Sequence, residues 1–90
     1  MKKTTYALVT HYSFDSETPV YLFDSIEEAA AELKKQFDEE VRISTDENGH
    51  VIGEDMEVDI AEDGCWASIT EYIDEDKDVT EWSIGYVRNR

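Results

Sequence analysis

Residues 56–70, MEVDIAEDGCWASIT, decide the fold. Met56, Val58 and Ile60 alternate with Glu57 and Asp59, the period-two pattern of a strand with one apolar and one acidic face. Asp63-Gly64 follows, a dipeptide that accepts the positive φ angles of a tight hairpin turn. With those two residues as the turn, Ile60 faces Ala67 and Val58 faces Ile69. Both pairs are apolar, so the register is self-consistent. The same register puts Trp66 opposite Ala61 and Thr70 opposite Glu57 on the other face.

Toward the C-terminus, a loop over 74–77 leads to a last strand at 78–88. A four-residue loop there pairs Trp82 with Ile69 and Ile84 with Ala67, and sets Trp82, Ile84 and Tyr86 on the core face. Toward the N-terminus, Asp24/Glu27 and Ser25/Glu28 form two overlapping capping boxes ahead of a helix over 25–42. Ile26, Ala29, Ala30, Leu33, Phe37 and Val41 make its apolar stripe. Acids open the helix and bases close it, as the macrodipole favours. Residues 4–13, TTYALVTHYS, read as a strand either central or covered on both sides. A turn and Pro19 lead into a second strand over 20–23, which completes a hairpin. Residues 44–54 fit either a tiny hairpin about Asn48-Gly49 or a loop containing Gly53.

The order is ββαβββ in a single domain over 1–90. It predicts an α+β two-layer sandwich, one helix on an antiparallel sheet of about five strands. A helix roughly 10 Å wide cannot cover both faces of a sheet about 19 Å across. The second face is therefore wet or bound. By this register it carries Asp55, Glu57, Asp59, Thr70 and Glu81, with Trp66, Tyr72 and Val79 among them.

Charge is the second constraint. The chain sums to −15, and between Arg42 and Lys77 it holds twelve carboxylates and no Lys or Arg. Like charges at this density repel and cost stability. They argue against nucleic acid and anionic membranes as direct partners. Ten aromatic residues in alternating patterns argue against disorder. Cys65 is the only cysteine, so no internal disulfide can form, and no apolar run approaches the roughly 20 residues of a membrane span. A soluble cytoplasmic protein is expected.

Motif chemistry is thin. Asp74-Glu75-Asp76-Lys77-Asp78 opens like a calcium loop, but Val79 stands where the sharp turn needs Gly and Gly85 where a bidentate Glu belongs. Cys65, His11 and His50 are scattered without zinc-ligand spacing. No phosphate-binding Gly-rich loop or nucleophile elbow is present. No enzyme, metal or cofactor is expected.

The run VTHYSFDSETPVYLFDSIEEAAAELKKQFDEEVRI, then ENG, IAEDG and DVTEWSIG, resembles small uncharacterised acidic proteins of bacterial mobile elements and phages. That resemblance covers nearly the whole chain and implies no residue roles. In size and acidity the chain is also similar in type to anti-CRISPR and anti-restriction DNA mimics. The functional expectation is a non-enzymatic module that binds a basic protein, such as a nucleic-acid-binding protein. Its contact residues would be Asp55, Glu57, Asp59, Trp66, Tyr72, Asp74, Asp76 and Glu81. The alternative is a self-associating domain, a homodimer joined through the open sheet face about Trp66.

Overall fold

The structure, a computed structural model, describes residues 3–89. Strands β1 (Lys3–Tyr12) and β2 (Val20–Phe23) precede helix α1 (Ile26–Arg42), and strands β3 (Met56–Ile60), β4 (Trp66–Ile73) and β5 (Asp76–Asn89) follow it. All five strands form one antiparallel sheet in the order β2-β1-β5-β4-β3, with α1 packed on one face. This is the α+β sandwich expected from the sequence. Strand β1 lies between β2 and β5, inside the sheet.

Ser25 caps α1. Its backbone is extended (φ −135°) and its side chain accepts the Glu28 N–H at 3.2 Å. The apolar stripe then lands on the sheet: Ala29, Leu33 and Phe37 are buried. Leu8, Leu33, Met56, Ala67, Ile69 and Trp82 join Phe37 in the core. Trp82 meets the Phe37 ring edge-on, with centroids 5.9 Å apart, and its indole N–H donates to Gln36 Oε1 at 3.1 Å. That bond removes the penalty of burying the indole nitrogen. On the outer side of α1, Lys34–Asp38 and Arg42–Glu39 pair at 2.6 and 2.7 Å.

The β3–β4 register is the one the alternation dictates: Ile60 opposite Ala67 and Val58 opposite Ile69. The turn differs in detail. The strands end at Ile60 and restart at Trp66, and the turn closes through the Gly64 N–H on the Ala61 carbonyl at 3.0 Å. Gly64 takes φ +74°, which only glycine adopts cheaply.

The β4–β5 hairpin corrects the sequence reading. Its turn has two residues, Asp74 and Glu75, with Ile73 opposite Asp76, and so Trp82 pairs with Ala67 and Thr80 with Ile69. Asp74 makes the short turn by taking φ 54°, a left-handed conformation that Asp tolerates better than most residues. The slip is two residues, an even number. Every side chain keeps its predicted face.

Tyr86 is the second correction. It lies on the helix side by register but is 65% exposed. The cause is length: the 14 residues of β5 span about 46 Å and the 17 of α1 about 26 Å. The end of β5 outruns its cover. A five-residue π-helical turn, Ile43–Glu47, extends α1, and residues 48–55 form a loop bridged to β3 rather than a hairpin.

Candidate partner-binding face

Strand parity puts three rows of side chains on the face opposite α1. Glu57, Thr70 and Val79 form one row. Asp59, Ser68, Glu81 and His11 form the next. Trp66, Ser83, Val9 and Val20 form the third. Acids therefore collect on the β3–β5 half, and the β1–β2 half is apolar, with Val20 and Leu22 54% and 67% exposed.

The acidic half is not flat. A depression of about 400 Å³ is lined by Ile52, Gly53, Val58 and the side of the sheet that carries Glu57, Asp59, Ser68 and Thr70. Its carboxylates offer only acceptors, and its hydroxyls accept and donate. Such a lining suits an ammonium or guanidinium head, whose hydrogen bonds to carboxylate are charge-assisted. Beside it, burial first and then the neighbouring Glu57 carboxylate, which also hydrogen-bonds the phenol, push the Tyr72 hydroxyl above its ordinary range.

The wall of this depression is the 48–55 loop, and the loop is held from several sides. The Asn48 and His50 N–H groups donate to the Ile43 and Ser44 carbonyls, and Gly53 N–H donates to Met56 O at 2.7 Å. Asp55 Oδ1 accepts the Val51 N–H at 2.6 Å. The His50 ring lies between Asp55 and Glu71, 3.4 and 3.5 Å away. Glu71 also accepts from the buried Ser44 hydroxyl at 2.5 Å. This cluster joins the π-helical turn, the loop and β4.

The expected contact residues divide accordingly. Glu57, Asp59, Glu81, Trp66 and Tyr72 share the open face. Asp55 follows the same parity, but its carboxylate is engaged by its own loop. Asp74 sits in the turn, and Asp76 falls on the helix side of the sheet, in step with Trp82 and Thr80. These two stand apart from the acidic rows. Ser68, Ile52 and Gly53 were not anticipated as lining residues. Ser68 was legible, because the hairpin register already set it between Asp59 and the next strand.

Burial, the Asp63 charge and a hydrogen bond to the Asp63 side chain push the Cys65 thiol up, the opposite of an activated nucleophile. Among the described residues, no group of three or more His, Cys, Asp or Glu side chains is placed to hold a metal ion, and no helix is long and apolar enough to cross a membrane. Compared with known proteins, the chain matches no family model, no curated protein and no solved structure.

Proposed function

We propose that this protein acts without catalysis, by presenting the open β3–β5 face to a basic protein and occupying the surface that protein uses for nucleic acid. One observation carries the reading. Glu57, Asp59 and Glu81 share one sheet face, and Glu57 and Asp59 line a depression suited to a Lys or Arg head. Acids two residues apart on a strand lie about 6.8 Å from each other, close to two phosphate steps of about 3.4 Å along one DNA strand. Trp66 and Tyr72 flank the acids and supply the aromatic contact that anchors interfaces. The charge steers encounter, and the rings hold the complex.

The test is capture of partners from the native host at physiological salt, with wild-type protein and with a Glu57→Gln/Asp59→Asn/Glu81→Gln variant. The expected result is a basic, nucleic-acid-binding protein that duplex DNA displaces and the variant fails to hold. A partner retained equally by the variant would refute the reading. A salt-insensitive homodimer that dissociates on Trp66→Ala would replace it with self-association.

A further inference from the structure

The helix side of the sheet holds a second concavity, on the opposite face from the acidic rows. It is a cleft of about 340 Å³ between α1 and the β1–β2 edge. Tyr12, Tyr21 and Trp82 supply aromatic walls, and Gln36, Glu40 and Lys35 stand among its helix-side lining. We infer that this cleft receives an alkylammonium group, the aromatic rings taking its apolar stem and methyl or methylene surface and Glu40 its charge.

The composition of the walls points to that chemistry. A cation over aromatic faces is attracted by the ring quadrupole, and rings combined with a carboxylate are how proteins bind ammonium heads. Gln36 and Glu39 at the cleft already have partners. Gln36 accepts from the Trp82 indole and donates to Glu32 Oε2 at 3.0 Å. Glu39 is paired with Arg42. These bonds fix the rear wall; Glu32 also lines the cleft, and Glu40, the acid that acts most strongly on Tyr12, is assigned the charge.

The local electrostatics agree. Burial, then Glu71 and Glu39, hold the Glu40 carboxyl above its ordinary range. Burial, then Glu40, Tyr21, Asp15 and Glu17, do the same for the Tyr12 hydroxyl. Glu40 is thus a half-buried carboxyl beside two other acids, and an entering cation offsets that repulsion. The exposed Lys35 on the rim is the cation such a ligand must compete with.

The same ammonium chemistry is offered by a free quaternary amine and by a lysine side chain. Titration of the ¹⁵N-labelled protein with choline, with its uncharged isostere 3,3-dimethylbutan-1-ol and with Nα-acetyl-lysine amide separates these sources. Binding of either cation saturates at about millimolar concentration, with shifts at the Trp82 indole N–H and the Tyr12 and Tyr21 amides, and the isostere does not reproduce them. The tighter of the two cations identifies the source. Tyr21→Ala and Glu40→Gln each weaken binding by about fivefold, and Lys35→Ala tightens it. That opposite sign is one a loss of folding cannot produce. Equal response to the isostere, unsaturable shifts, shifts confined to Ser68 and Thr70 on the open face, or no weakening in Glu40→Gln would each overturn the inference. The open-face reading is tested by different residues and a different partner, so either can fail alone.

Discussion

If Glu57, Asp59 and Glu81 are kept for a partner, the isolated protein bears their repulsion, and removing it should stabilise the fold. Glu57 and Asp59 lie about 6.8 Å apart along β3, and Asp59 and Glu81, two strands apart, about 9.6 Å. In water those pairs repel by about 0.6 and 0.4 kcal/mol, and the Glu57–Glu81 diagonal by about 0.35 kcal/mol. At 10 mM salt the screened total is about 1 kcal/mol, and at 150 mM it falls to about 0.5 kcal/mol. The unfolded chain carries the same charges at larger distances, so these are ceilings. For a domain of this size about 1 kcal/mol corresponds to a melting shift of about 4–8 °C. Glu57→Gln/Asp59→Asn/Glu81→Gln should therefore melt up to about 5 °C above wild type at 10 mM salt and about half that at 150 mM. Gln at 57 keeps an acceptor for the Tyr72 phenol, so that contact survives. Thermal melts of both proteins at the two salt concentrations decide the matter. A variant less stable than wild type, or a gain that ignores salt, would mean that these side chains support the fold rather than burden it.

Four other substitutions probe separate parts of the structure. Leu33 is 0% exposed in the core, and Leu33→Ala should cost about 2–5 kcal/mol in urea denaturation. Thr10 is 1% exposed and its hydroxyl finds no hydrogen-bond partner. Thr10→Val should therefore raise the melting point, by about 1 kcal/mol of stability, where a partnered hydroxyl would give a loss. Asp74→Gly should stabilise by about 0.5 kcal/mol, the relieved left-handed strain less the added freedom of the unfolded chain. Glu40 is raised above its ordinary 4.5 in the fold, so the folded state holds the proton longer and stability falls as pH rises from 4.5 through the folded value. Glu40→Gln should thus be more stable than wild type at pH 7, with the gain vanishing below about 4.5 in denaturation midpoints measured across pH.

The sequence made the sheet legible where both faces of a strand were patterned. The β3–β4 register follows from Ile60–Ala67 and Val58–Ile69, because a one-residue slip would turn the acids of β3 into the core. The β4–β5 turn was not legible, since nothing in Asp74-Glu75 announces that Asp74 will take φ 54°. An even slip leaves the faces unchanged, which is why the acidic rows were placed correctly despite the wrong pairing. The 43–55 segment was opaque for a different reason. Its conformation depends on Ser44 and His50 meeting Glu71, contacts distant in sequence that no local propensity encodes. Asp55 shows the limit of parity arguments: its place in the alternation was read correctly, yet a nearby backbone N–H claims its carboxylate.

The placement of the few basic residues gives the net charge its meaning. Lys34 and Arg42 pair with Asp38 and Glu39 on the solvent side of α1, so helix acids are partly neutralised in place. On the open face the arrangement reverses. Glu57, Asp59 and Glu81 share their rows with Thr70, Val79, Ser68 and His11, and no Lys or Arg stands in those rows. Lys77 stands on the same face, one row away opposite Tyr72, so the acids there outnumber their compensation rather than going wholly without it. The acidic rows run over paired strands, from the edge strand β3 inward, next to a loop held by several hydrogen bonds and the His50–Glu71 contact. Fixing like charges in place costs more than letting them move on a flexible tail. A rigid array does, however, meet a partner with little further loss of conformational entropy. Charge carried in ordered rows on paired strands suits the binding role proposed above.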